Sequence, residues 1–372
     1  MRSVFDDLSQ FRYLNTMNIQ KTLTTSPKTL PPADKLGFGQ FFTDHMFVAK
    51  YREGQGWYEA KILPYSPLSM DPGASVFHYG QALFEGMKVF RQDDGKIVFF
   101  RPEFNHQRLA DGAKRVCLEA PPLELFMQAL QELVAVDERW IPKEPNTSLY
   151  IRPTLIGTEA FLGVRPSHET TFFIILSPVG SYYSEGTQPV KIWTEEKYLR
   201  AAPGGLGAVK AGANYASSLK AAYESKQKGY AQVLWLDTDR EGIEEVGTMN
   251  VFFVFDNEIV TPALNGSILA GGTREAVIHI LKSKHLPIVE RRITITEVIE
   301  KIQNGKLREA FGTGTAAVIS PMGILAYKGK EWVINDNKNG ALSTELYKQI
   351  TSIQHGTAPD IFNWIVPLQK NL

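Results

Sequence analysis

The 372-residue sequence predicts an α/β fold in two parts, a small α+β unit followed by a larger mixed α/β unit. Three observations carry this. Asp94-Gly95 lies between the apolar runs Val89-Phe90 and Ile97 to Phe100, the mark of a tight hairpin. Two stretches with apolar residues at helical spacing follow that hairpin. Beyond Pro189, strands and helices alternate through loops made of glycine, threonine and alanine. At about 150 residues per domain the length suits two domains.

Residues 1–36 read as a loosely ordered arm ending at Pro31-Pro32, with Met17 a second candidate start. Regular structure begins near Phe41 to Val48, and 76–90 is rich in aromatic and apolar residues. After the hairpin, Pro102 opens a helix reaching Val116, and Leu123 to Val136 forms the next. Leu149 to Ile156 and Thr171 to Leu176 are strands, completing a small domain over 37–180. Residues 181–189 have linker composition. The large domain, 190–372, opens with the strand Val190 to Thr194. Ala216, Leu219 and Tyr223 then recur at helical spacing, and Gly229 stops that helix. Gln232 to Leu236 is a strand, and a polar turn over 244–250 feeds the strand Val251 to Phe255. Leu269 to Thr273 leads into a helix with Val277, Ile280 and Leu281 on one face. Thr294 and Glu297 make a capping box for a helix that Gly305 ends. Residues 311–317 read as a further turn of small residues.

Forty acidic and forty basic residues cancel, whereas a nucleic-acid binder carries a basic excess. Cys117 is the single cysteine, which excludes internal disulfides and thiolate metal clusters and suits a reducing cytoplasm. No apolar run is long enough to span a bilayer, and the start, with Asp6 and Asp7, lacks the apolar region of a secretory signal. The seven histidines show no metal-ligand spacing. No nucleic acid, membrane or metal is expected.

The chemistry centres on Lys210, set in the glycine- and alanine-rich stretch Gly204 to Tyr215. A phosphate loop needs Gly before the lysine and Ser or Thr after it, but Val209 and Ala211 stand there. The dinucleotide pattern also fails, because Lys210 occupies the place of the third glycine. What remains is an amine on a turn leading into a helix, among small neighbours that leave room for something flat. Burial favours a neutral amine, which can form a Schiff base with a carbonyl. Taken alone, the stretch serves equally as a surface loop. Gly272 and Thr273 open a helix and so offer free N–H groups to an anion, with Arg108 a candidate for a fixed positive charge. A phosphate site, a reactive lysine and an acid together suit pyridoxal 5'-phosphate, whose ring nitrogen an acid keeps protonated. Glu245 is the natural acid, although by itself it also reads as a turn cap.

The sequence resembles a branched-chain amino acid aminotransferase of the fold-type IV class, whose fold is that of D-amino-acid-aminotransferase-like enzymes. The resemblance rests on Phe42-Thr43-Asp44-His45-Met46, His78-Tyr79-Gly80, Leu83-Phe84-Glu85-Gly86-Met87-Lys88 and Phe100-Arg101-Pro102. It continues through Tyr150-Ile151-Arg152-Pro153, Gly212-Ala213-Asn214-Tyr215, Glu245-Val246-Gly247-Thr248-Met249-Asn250 and Gly312-Thr313-Gly314-Thr315-Ala316. It implies that Lys210 forms the Schiff base and carries the proton of the 1,3-shift. Glu245 would face the pyridine nitrogen and Tyr215 the phenolic oxygen. Arg108, Gly272, Thr273 and Thr315 would hold the phosphate, supported by Thr248, with Leu269 against the ring. The Thr315-Ala316 turn, aided by Tyr79, would take the substrate α-carboxylate. Phe42, Phe84 and Tyr150 would line the side-chain pocket, and Arg152 would meet the distal carboxylate of glutamate. Without the resemblance, these aromatics read as core residues. The implied reaction passes the amino group of leucine, isoleucine or valine to 2-oxoglutarate, in a homodimer with sites near the interface. A D-amino acid aminotransferase or aminodeoxychorismate lyase would use the same Lys210 and Glu245. A phosphate-ligand binding module would use neither covalently. Animal members can carry a C-x-x-C pair after the Gly-Thr-Ala turn. Ala317 and Ser320 stand there instead, so thiol regulation at that point is not expected.

Overall fold

The computed structural model describes residues 17–180 and 188–369. The first unit begins with β1 (Gln20–Lys21), β2 (His45–Arg52), β3 (Gly56–Pro64), α1 (Ser75–Tyr79), β4 (Ala82–Phe84), β5 (Met87–Arg91) and β6 (Ile97–Phe100). It continues with α2 (Pro102–Arg115), α3 (Leu123–Val136), β7 (Ser148–Gly157) and β8 (Glu169–Val179). The second unit holds β9 (Val190–Thr194), α4 (Gly212–Gln227), β10 (Gln232–Leu236), β11 (Ile243–Val246), β12 (Asn250–Phe255), β13 (Ile259–Thr261) and α5 (Gly272–Ser283). It ends with β14 (Ile288–Glu290), α6 (Ile295–Gln303), β15 (Leu307–Gly314), β16 (Val318–Tyr327), β17 (Lys330–Val333) and α7 (Ala341–His355). The last strand is β18 (Ile365–Pro367).

These strands form two nine-stranded sheets. The first runs β1-β3-β2-β8-β7-β5-β6-β18, with β4 paired to β7. The second runs β11-β10-β9-β16-β15-β12-β13-β14, with β17 paired to β16. α3 lays Leu125, Phe126, Ala129, Leu130 and Leu133 into the core of the first sheet, as its apolar spacing requires. Val277, Ile280 and Leu281 of α5 do the same beside Phe252 and Phe311 of the second. Asp94-Gly95 turns the β5–β6 hairpin, with Gly95 at φ 84°. Thr294 caps α6 by accepting from the Glu297 N–H at 3.1 Å. The Glu297 carboxylate does not return to Thr294 but pairs with Arg291, so half of the capping box forms.

Four readings of the sequence change. The arm is not loose throughout: β1 pairs with β3, and Thr24 and Lys28 are bound to the β2 start. There Asp44 accepts from Lys28 N at 2.8 Å and Trp140 Nε1 at 2.7 Å. His45 Nε2 accepts from Thr24 N, which leaves its proton on Nδ1 to donate to Asp137 at 2.7 Å. Residues 311–317 are not all turn, because 311–314 belong to β15 and the turn spans 315–317. α4 turns its apolar stripe outward, with Leu219 66% and Tyr223 61% exposed while Asn214, Ala221 and Ser225 face in. Finally, β18 leaves the second unit and closes the far edge of the first sheet. Most of the expected linker, 181–187, lies outside the described residues.

The two sheets meet around Lys210. Its carbonyl accepts from the Phe84 N–H at 3.1 Å, and Ala211 bridges to Leu83. The loop before α4 is thereby stitched onto β4 of the first sheet.

Candidate active site

Lys210 stands between the turns of 203–208 and the start of α4. Small residues matter here for a specific reason. A Cβ at Gly207 would lie 2.1 Å from the Ser267 carbonyl oxygen, so only glycine lets this loop dock there. Lys210 Nζ donates to Tyr215 Oη at 2.8 Å and sits 4.8 Å from the Phe84 ring centroid. Burial lowers the amine to about 8, with the Arg108 guanidinium pressing the same way and Glu85 opposing. Burial pushes the Tyr215 phenol up to about 12, with the Glu245 charge adding to it.

Glu245, on β11, is enclosed. Its Oε1 accepts from the Leu269 N–H at 2.8 Å, and its Oε2 from Arg200 Nε at 2.9 Å. Burial raises this carboxyl to about 7, against the pull of Arg200. Arg200 also donates to Ser267 O at 2.7 Å and to Gly207 O at 3.1 Å, fastening the acid, the lysine loop and the 267–269 segment together. Nothing in its local sequence marks Arg200, and it escaped the sequence analysis. Leu269 contributes its backbone N–H, and its side chain lines neither of the two cavities described next.

Gly272 and Thr273 open α5 after an extended Gly271. With Arg108, Arg101, Gly86 and Thr315 they line a small cavity of about 30 Å³. Arg101 was quoted only as part of a motif. Here it donates to Gly272 O at 2.6 Å and to Glu275 Oε1 at 2.9 Å. Arg108 is gripped by the fully buried Glu85 through two bonds of 2.7 Å and reaches Ala270 O at 2.9 Å. Asn105 holds Glu85 in turn at 2.7 Å. The signal for Glu85 was a carboxylate inside the apolar run Leu83 to Met87.

A second cavity of about 140 Å³ surrounds Lys210 and shares Gly86 and Thr315 with the first, so the two adjoin. Phe84, Tyr150, Arg152, Tyr215 and Ala316 line it. Thr248, expected to support the phosphate, lines this cavity and not the cup at Gly272. Phe42 is not in the wall; it stacks on Tyr65 with centroids 5.1 Å apart. Phe38 takes the place instead, edge-on to Tyr150 at 4.9 Å. Gly37 and Gly39, at φ 56° and 70°, make the turn that presents it. Tyr79 is also absent from the cavity within one chain. It is 43% exposed and donates its hydroxyl to Leu162 O. Arg152 Nη2 donates to Tyr150 Oη at 3.0 Å, and its guanidinium lies 4.6 Å from the Phe84 ring centroid. Its Nε is buried without an acceptor among the described residues. Phe38, Phe84 and Tyr150 thus give part of the wall an aromatic face, with the Arg152 cation against it and Lys210 on the same cavity.

Comparison with known proteins shows which family the chain resembles. The family model described as amino-transferase class IV matches residues 82–323. The chain is 51% identical over 350 residues to branched-chain-amino-acid aminotransferase 2 of Bacillus subtilis (strain 168), covering 94% of this chain and 96% of that one. It is 50% identical over 352 residues to branched-chain-amino-acid transaminase 1 of the same strain, covering 94% and 98%. Among solved structures, the branched-chain amino acid aminotransferase of Escherichia coli superposes with a TM-score of 0.73 at 25% identity, covering 86% of this chain and 99% of that one.

Proposed function

The chain belongs to the class IV aminotransferases, and from that premise we infer that it exchanges the amino group of leucine, isoleucine or valine with 2-oxoglutarate. The observation that carries this is the cavity at Lys210. Its wall of Phe38, Phe84 and Tyr150 accepts an aliphatic side chain, and Arg152 at its edge accepts a second carboxylate.

The residues fit pyridoxal 5'-phosphate. A lowered amine and a helix start beside two arginines line adjoining cavities, and an enclosed acid held by an arginine, lining neither, is near enough for its charge to act on Lys210 and Tyr215. When bound, the cofactor supplies a carbonyl for the substrate amine and a protonated ring that withdraws electrons from the substrate Cα. Lys210 Nζ provides the covalent anchor and then moves the proton to and from Cα. Glu245, oriented by Arg200 and the Leu269 N–H, holds the proton on the ring nitrogen. Tyr215, bound to the Lys210 amine, would face the phenolic oxygen, and Leu269 would contribute through its backbone N–H to Glu245. Gly272, Thr273, Thr315 and Arg108 receive the phosphate, with Glu85 fixing the Arg108 plane. Thr315 and Ala316 receive the α-carboxylate. Phe84, Tyr150 and Arg152 sort the side chain.

A homodimer is the working unit in this reading. It is supported by the exposed apolar Phe77, Phe161, Leu162 and Val164 beside Tyr79, a face that a second copy would cover and through which Tyr79 would reach the partner's site. The two sheets would be two domains joined at 181–189. A cytoplasmic enzyme accords with the lone Cys117, and among the described residues no helix is long and apolar enough to cross a membrane. The test is an absorption spectrum followed by transamination with a panel of amino donors. A violet-edge band and turnover of branched-chain donors are expected. A colourless protein, or turnover of D-amino acids alone, overturns the reading.

A further inference from the structure

Lys88 on β5 is buried, and its ammonium donates to the Ala316 carbonyl oxygen at 2.9 Å. It stands behind the turn of 315–317. There it lines a cavity of about 60 Å³ together with Ala316, Ala317, Gln354 and His355. Ala316 and Ala317 also wall the Lys210 cavity, which Lys88 does not reach. A peptide unit is planar and trans, so its C=O and N–H point in opposite directions. Holding the Ala316 carbonyl on the Lys88 side therefore turns the Ala317 N–H away from Lys88 and sets the plane of the turn that walls the Lys210 cavity. No backbone carbonyl among the described residues accepts from that N–H. An ammonium on the carbonyl end of a peptide also strengthens the donor at its other end.

We propose that Lys88 is a positioning residue for substrate, holding the Ala316 carbonyl and so fixing the turn of 315–317 in the shape whose N–H groups receive the α-carboxylate of the amino acid and the 2-oxo acid. This rests on the transaminase reading above. Lys88 also lines the phosphate cup beside Arg108 and Gly272, but its ammonium is bound to the Ala316 carbonyl, and in this role it acts through that peptide. The charged and titratable groups around it are Tyr150, opposite it on β7, His355 and Tyr347 of α7 and, in the phosphate cup that it also lines, Arg101 and Arg108. Among the described residues no carboxylate lines either cavity. Burial alone lowers its amine to about 8. The ammonium is present below that pH and lost above it, so the grip on the carboxylate weakens as pH rises through 8.

The experiment uses holoenzyme of wild type, K88M and K88R. K88M should raise KM for both leucine and 2-oxoglutarate at least tenfold. Its kcat should stay within threefold of wild type, and its cofactor content and absorption band should not change. K88R, which keeps a donor and a charge, should return KM to within threefold. Wild-type KM for 2-oxoglutarate, which has no group titrating there, should rise from pH 7 to 9, and K88M should show no such rise. An unchanged KM in K88M, a loss confined to kcat, or a loss of cofactor overturns the proposal. If K88M does not fold, the wild-type profile decides, and a flat KM across pH 7 to 9 overturns it. A wild type with no transamination at all overturns the functional reading instead.

Discussion

An amine that titrates near 8 is free base for part of the time at neutral pH, as a nucleophile must be. Lys210→Ala should abolish transamination and leave the thermal melt close to wild type, since among the described residues its amine hydrogen-bonds only Tyr215. Turnover near the wild-type rate would remove Lys210 from its role. Glu245 supplies a second test. Its folded carboxyl keeps a proton up to about 7, whereas the unfolded one releases it near 4.5. The folded state therefore binds more protons between those values, and this group's contribution to stability falls as pH rises through that window. Cofactor-free Glu245→Gln should lose that slope in urea unfolding followed from pH 4.5 to 7. The same variant should slow proton abstraction by several orders of magnitude, because an amide cannot hold the pyridinium proton by charge. Arg152→Met should weaken 2-oxoglutarate more than the leucine keto acid. A lost charge-assisted contact is worth roughly 1.5–3 kcal/mol, or about ten- to hundredfold in kcat/KM. Half-reactions followed separately by the cofactor's spectrum would show it, and equal losses would reduce Arg152 to a shape-holding part. Lys210 and Glu245 were legible because each is a chemically odd residue in a small-residue or polar turn. Arg200 and Lys88 were not, because each acts on another group far away in sequence, and no local pattern records that.

Among elements, the helices were the easiest to read. α2, α3 and α5 carry their apolar residues on one side, and the first starts at a proline. The β15–β16 hairpin was obscured by the glycines that make it work. Gly312 is in mid-strand because the β11–β12 turn packs onto it, and a Cβ there would meet Met249 Cε and Val246 Cγ1 at 2.9 Å. Composition said turn, while the need for close approach produced a strand. Gly312→Ala should consequently cost about 1–3 kcal/mol, the usual penalty of overpacking. A melting temperature equal to wild type would show that Met249 simply moves aside. α4 misled in the other direction: Leu219 and Tyr223 supplied the helical period but point to solvent, and small residues make the inner face. Its helix was legible, its orientation was not.

At the scale of the molecule, the exposed Phe161, Leu162 and Val164 predict association. Leu162, 65% exposed, sits at the centre of that face. Leu162→Asp should shift sedimentation toward the single chain and depress turnover in parallel, because Tyr79 is bound to the same segment. A monomeric wild type with full activity would refute this. The order of the strands has a further consequence, and it concerns time. β18 lays Ile365, Val366 and Pro367 against Phe100, Phe99 and Val98, and Gln131 pins its end by accepting from Gln369 N and donating to Pro367 O. The first sheet thus has all its other strands once residue 179 is made, yet its border waits for residue 365. At about 5–20 residues per second of synthesis, the Ile97 to Phe100 edge stays open for roughly 10–40 s. During that interval it is an apolar strand with unpaired amides, the kind of edge that recruits other chains. The tail of the protein acts as a seam sewn last, and a chain cut short before it would keep Lys210 and its loop while leaving that edge unfinished.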